Sequence, residues 1–215
     1  MRRPHISVNL AISADGKISS AGHIPSRWTS QADSRRLLDL RAGKDALLIG
    51  RGTLESDQMT LTVPGQKIQP LRCIVSRRGG WNEKHPLFSK RGGPIHLLVT
   101  ESKTQSQGIP GAALHYESLA DFLTTLFDSY NVQTLHCEGG GGLVRALAEL
   151  DAIDEIFLTL AGHTLFSGGQ APTLTGLLSD FLPSKLVFQL RECQIMQDES
   201  ECFLHYQRAA ADPAQ

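Results

Sequence analysis

Residues 135–147 read "LHCEGGGGLVRAL", with Gly139, Gly140, Gly141 and Gly142 in succession. Apolar Val132 and Leu135 lead in, and Leu143, Val144, Leu147 and Leu150 follow at helical spacing. Glycine loses more backbone freedom on folding than any other residue, so four in a row are costly to order. A strand, then glycines, then a helix start is suited to phosphate. The first helical N–H groups and the helix dipole favour an anion, and the missing side chains let it come close. A flexible tight turn is the competing reading, because the spacing is not that of the GxGxxG fingerprint. Glu138 closes the strand and so sits at the carboxyl edge of a sheet, where ligands of α/β proteins bind. There it either serves an N–H group of a second ligand or is a solvated acid at a strand end.

The flanking sequence supports an α/β class. "HISVNLA" (5–11) alternates and predicts a strand rather than a signal peptide. "DALLIG" (45–50), "LRCIVS" (71–76) and "IHLLVT" (95–100) are short apolar runs, the pattern of strands covered on both faces. Ser30 with Asp33 predicts the start of a helix that stops at Gly43. Leu119, Phe122, Leu123, Leu126, Phe127 and Tyr130 form one face of a helix over 118–130, with Ser118 as cap and Asp121 at its third position. Strand 133–138, helix 141–150 and strand 154–161 come next. Residues 163–184 predict a long loop with a short helical piece. Strands 186–196 and 201–207 are close enough to form a hairpin. The expected fold is a three-layer α/β/α arrangement on a mostly parallel sheet with an antiparallel C-terminal hairpin. A single domain spans 1–208, and 209–215 form a frayed tail.

The formal charge of -1 over 215 residues gives no footing for nucleic acid or an anionic membrane. No apolar run approaches the roughly 20 residues that span a bilayer. Cys73, Cys137, Cys193 and Cys202 are widely spaced, and no His pair complements them. They are expected to be buried thiols of a reducing cytoplasm, with no disulfide framework and no metal site. Other polar residues gather at predicted strand ends: "SADGKIS" (13–19), Thr53 and Asp57, and Ser76 with Arg77 and Arg78. The paired arginines fit either a solvated turn or bidentate recognition of a 2′-phosphate.

In this order the pieces "SADGKI", "SRWTS", "LRAGKDALLIGRGTLESD", "LTV", "PLRCIVS", "LLVT" and "CEGGGGLVRAL…LDAIDEIFLTLAG" resemble the riboflavin-biosynthesis pyrimidine reductases, which have a dihydrofolate-reductase-like fold. The resemblance covers nearly the whole chain. The HxE…PCxxC zinc signature of the deaminase half found in bifunctional members does not occur in it. The resemblance implies NADPH, a homodimer, and hydride transfer to the sugar C1′ of a ribosylaminopyrimidine phosphate. It implies cofactor contacts at Ala11, Trp28, Thr53, Asp57, Ser76 and Arg77, and a pyrophosphate cradle at Gly140, Gly141, Gly142, Leu143, Val144, Arg145 and Ala146. It implies substrate contacts at Ser26, Arg41, Leu61 and Glu138, with Lys17, Asp57 and Glu138 as the catalytic set. Trp28 as a core residue and Arg41 as a helix C-terminal cation are the plainer alternatives. The chain also departs from the family. Where "LADDPRLTVR" is common, it reads "LESDQMTLTVP", so Pro64 replaces an arginine that resembles a substrate-phosphate ligand. A same-fold reductase of another pteridine or pyrimidine, and a cofactor-binding dimer without catalysis, are the other readings.

Overall fold

The computed structural model describes residues 2–22, 28–101, 107–176 and 187–209. Nine strands form one sheet: β1 (His5–Ser13), β2 (Ala46–Gly50), β3 (Leu71–Ser76), β4 (Ile95–Val99), β5 (Ala112–Tyr116), β6 (Thr134–Cys137), β7 (Glu155–Ala161), β8 (Phe188–Met196) and β9 (Glu201–Arg208). Their spatial order is β5-β4-β3-β2-β6-β1-β7-β9-β8. β1 to β7 run parallel; β9 is antiparallel to β7, and β8 to β9. The closing strands thus form the expected hairpin, with a bulge between Leu190 and Glu192.

Helices cover both faces. Leu119, Phe122, Leu123 and Leu126 of α4 (Leu119–Ser129) and Leu143, Val144 and Leu147 of α5 (Gly141–Glu149) pack on Ile6, Val8, Leu48, Leu135 and Cys137. On the other face Leu54 of α2 (Arg51–Asp57) and Leu87 of α3 (Pro86–Ser89) pack on Leu47, Ile49, Ile74 and Leu97. Helix α1 (Gln31–Arg41) lies on that second face, where Arg36 bonds Thr159 and stacks over Phe157 and Phe203.

Both predicted caps are present: Ser30 Oγ accepts the Asp33 N–H at 3.0 Å, and Ser118 Oγ accepts the Asp121 N–H at 3.1 Å. Strand β5 and helices α2 and α3 were not predicted. Seven and four residues are too few to show a helical period, and "AALHY" is a short run without strong alternation. Residues 163–176 form turns, as expected of the loop; the rest of that loop and residues 210–215 of the tail lie outside the described residues. The cysteine expectation needs correction. Cys73 and Cys137 are buried, and burial pushes the Cys137 thiol up to about 12. Cys193 is exposed, and its sulfur lies 3.4 Å from that of Cys202, because a diagonal pair on adjacent antiparallel strands shares one face. Among the described residues no helix is long and apolar enough to cross a membrane.

Two buried histidines make stability depend on pH. The His136 Nδ1 atom lies 2.8 Å from Ser7 Oγ; burial, with Lys44 and Arg41 nearby, lowers its pKa to about 3. Burial and the neighbouring His115 lower that of His96 to about 4. Both folded values lie below the unfolded value of about 6.5. Their contribution is therefore complete above that pH and is lost as the pH falls toward 4 and then 3, since only the unfolded chain takes up protons there. The urea midpoint should drop between pH 6.5 and 4, and His96→Gln should flatten that drop.

Candidate functional site

Seven parallel strands present their carboxyl ends along one edge of the sheet. β6 stands between β1 and β2 and pairs with both. The helix after β6 covers one face, while those after β1 and β2 cover the other. Neighbouring strands whose helices leave to opposite faces open a crevice between them. Glu138 and the four glycines lie in it.

The glycines have distinct reasons to be there. Gly139 and Gly140 have φ of 86° and 70°, a region that favours glycine. A side chain on Gly140 would meet Thr53 Oγ1 at 2.7 Å. At Gly141 it would meet the backbone nitrogen of Gly176 at 2.4 Å, so that glycine admits the turn 173–176 against α5. Gly142 is exposed and faces open space. The Leu143 and Val144 N–H groups both bond Gly140 O, so the cap already uses them. Gly141 and Gly142, the first two helical residues, have no intrahelical acceptor for their N–H groups. The surface that can receive an anion is narrower than the sequence implied.

Beside this turn lies a buried ion pair. Arg41 donates from Nε to Glu138 Oε1 at 2.5 Å and from Nη2 to Oε2 at 2.6 Å. The two side chains are 9% and 2% exposed. Met59 Sδ stands 4.0 Å from Arg41 Nη2. Both carboxylate oxygens are engaged, yet each keeps a lone pair for a further donor.

Other predicted residues fall into three groups. Thr53, Asp57 and Ser76 follow β2 and β3 at the carboxyl edge, and Ala11 lies near that end of β1. Ser76 Oγ is engaged with Gly79 O at 2.9 Å; Arg77 and Arg78 are exposed. Lys17 and Trp28 are half-buried in segments beyond β1. Several of the expected site residues have side chains that are buried or already paired. Leu61, at φ 53°, is completely buried in the core, so only its backbone can meet a ligand. Leu143 and Val144 are core residues, and Ala146 packs against the same core. Arg145 pairs with Glu149 at 2.8 Å, one helical turn on. Ser26 lies outside the described residues. Sequence reasoning missed Met59 and the carboxylates Asp15 and Glu201. Asp15 is inside the quoted "SADGKIS", but its partners Phe166 and Ser167 are about 150 residues away, and no local pattern announces them. A cavity of about 180 Å³, lined by residues such as Arg36, Phe157 and His205, lies apart from this edge on the α1 face.

Sheet order, crevice and antiparallel closing hairpin define a dihydrofolate-reductase-like fold; a dihydrofolate reductase from Enterococcus faecalis, solved with NADP(H) and RAB-propyl, superposes with a TM-score of 0.55 at 13% identity over 96% of this chain and 97% of that one. The chain belongs to the RibD C-terminal domain family, whose sequence profile matches residues 4–199, and it is a reductase of the kind that serves riboflavin biosynthesis. It is 28% identical over 193 residues to the 2,5-diamino-6-ribosylamino-4(3H)-pyrimidinone 5′-phosphate reductase of Archaeoglobus fulgidus, covering 80% of this chain and 86% of that protein. RibD of Acinetobacter baumannii superposes with a TM-score of 0.80 at 21% identity over 96% of this chain, which spans 58% of that longer one.

Two substitutions separate the roles of the glycines. Gly141→Ala should displace the 173–176 turn and cost about 1–3 kcal/mol in urea unfolding. Gly142→Ala should leave stability unchanged or raised by up to about 1 kcal/mol. Arg41→Ala leaves a buried carboxylate unpaired and should cost about 3–5 kcal/mol.

Proposed function

We propose that the chain reduces a ribosylaminopyrimidine phosphate with NADPH, as one domain over residues 1–208. The observation that carries this reading is the crevice beside β6, in which a carboxylate fixed by Arg41 adjoins a glycine turn whose Gly141 and Gly142 N–H groups have no acceptor among the described residues. The crevice suits a dinucleotide. Gly142 offers an open approach, Thr53 stands over Gly140, and Arg77 and Arg78 extend exposed guanidinium groups beyond β3. Bound NADPH would supply the hydride that adds to the sugar C1′ as its bond to the ring oxygen breaks, the oxygen taking a proton.

The residues of the chain do the rest. Glu138 accepts from an N–H of the pyrimidine and so holds the sugar in place. Its side chain is nearly sealed, so a ligand that uses it must shift a neighbour, and the unbranched thioether of Met59 is the adaptable one. Lys17 and Asp57 are the candidate proton carriers. Pro64, exposed where the family pattern carries an arginine resembling a substrate-phosphate ligand, favours a second reading in which the substrate is an unphosphorylated pteridine or pyrimidine.

The hairpin supports a homodimer. Three cross-strand rows, Leu190–Tyr206–Ile156, Cys193–Leu204–Leu158 and Ile195–Cys202–Leu160, share one face and are apolar throughout. Leu190 and Ile195 are 51% and 76% exposed at its rim. A second copy would cover such a patch. A cytoplasmic enzyme fits the substrate class.

Glu138→Gln should lower kcat/KM for the ribosylaminopyrimidine phosphate by ~10²-fold while NADPH affinity holds, since the carboxylate positions the substrate alone. Loss of NADPH binding with turnover retained at saturating cofactor would refute that division. Calorimetric titration should show NADPH bound well above NADH; equal affinities count against Arg77 and Arg78. Pro64→Arg should raise activity on the phosphorylated compound if the second reading holds, and change little if the first does.

A further inference from the structure

The segments that follow β1 and β7 meet beyond the carboxyl edge of the sheet, and Asp15 joins them. Its Oδ1 accepts the Ser13 hydroxyl at 2.5 Å and the Phe166 N–H at 3.2 Å; its Oδ2 accepts the Ser167 N–H at 2.8 Å. The Ala14 N–H adds a bond to Thr164 O at 2.9 Å. Ser167 has φ 58°, a left-handed conformation that non-glycine residues adopt at some cost. Two successive N–H groups donated to one carboxylate hold it there. This places the Phe166 ring edge-on to the Trp28 indole, with centroids 4.9 Å apart and planes at 86°.

Trp28 is also fixed along the chain. Two residues on, Ser30 donates its N–H and its hydroxyl to the buried Glu201 at 2.8 and 2.5 Å. The Asp15 turn orders the loop that carries Lys17 as well, because Ser13 Oγ accepts the Lys17 N–H at 3.0 Å and Ser13 N–H reaches Lys17 O at 2.9 Å. One carboxylate therefore ties two candidate site segments together.

We propose that Asp15 and Phe166 are positioning residues that set the Trp28 indole for the bound dinucleotide. This rests on the reading of Trp28 as a cofactor contact. An aromatic platform fixed before the ligand arrives avoids the ordering cost at binding, so freeing it weakens affinity without removing a contact. Asparagine cannot replace Asp15: it offers one acceptor oxygen, and its amide nitrogen would face an N–H.

Trp28 is one of two tryptophans, so a Trp81→Phe background isolates its fluorescence. The Trp81 Nε1 is buried with no partner among the described residues, so phenylalanine removes an unsatisfied donor there. In that background Phe166→Ala should red-shift the Trp28 emission in the absence of cofactor and raise the Kd for NADPH about tenfold; Phe166→Tyr should restore both. Asp15→Asn should raise the Kd by a similar factor, and the double variant should be no weaker than either single one, because both act through one ring. Thermal unfolding checks that each variant is folded. Unchanged emission and anisotropy in Phe166→Ala would overturn the positioning role whatever the cofactor does. So would an unchanged Kd in both single variants when the parent binds NADPH, or losses that add in the double. A folded parent that binds no NADPH refutes the proposed function, and the role toward the dinucleotide with it.

Discussion

A guanidinium and a carboxylate withdrawn from water hold the centre of this molecule. Arg41 ends α1, and Glu138 follows β6; their two bonds join a helix on one face of the sheet to the turn that sends the chain to the other. Neither charge tolerates burial alone, so each fixes the position of the other. The consequence passes outward. With Glu138 fixed, the glycine turn has one course, bonded through Gly139 O to the Gly50 N–H at 3.3 Å. Helix α5 then starts directly after that turn, at Gly141.

Much of this architecture was legible in the sequence. The apolar runs of β2, β3 and β4 announced covered parallel strands because such strands are buried on both faces. Ser30 and Ser118 marked helix starts because a hydroxyl there has a fixed chemical task. What stayed hidden was short or distant. Helix α3 completes a single turn. The sequence also offered no way to see that Arg41 would take both oxygens of a carboxylate 97 residues away. Nor could four identical glycines reveal that one yields to Thr53, another to the Gly176 turn, while Gly142 meets nothing. Those differences come from what packs above each Cα, and only the fold determines that.

The polar chemistry of the chain is divided between two kinds of place. At the carboxyl edge, Ser76, Asp15, Glu201 and the Arg41–Glu138 pair make bonds that set geometry, while Arg77 and Arg78 remain exposed. His96, against His115 and Tyr130, and His136, against Ser7 and Phe157, lie on opposite faces of the sheet, and burial holds both neutral. Burial thus shifts titration in the core, while at the carboxyl edge the hydrogen bonds from Ser13 and Ser167 lower the pKa of the Asp15 carboxyl.

The central place of β6 bears on how the chain reaches this fold. β1 and β2 do not pair with each other; residues 134–137 fill the gap between them. Until those residues arrive, the chain before them can build only β2, β3, β4 and β5 on one side and a lone β1 on the other, each with an open inner edge. Pairings of such long sequence separation slow folding and leave strand edges available to other chains. During synthesis the nascent chain must carry that exposure until the glycine turn leaves the ribosome. The step that closes the sheet is thus also the step that builds the crevice.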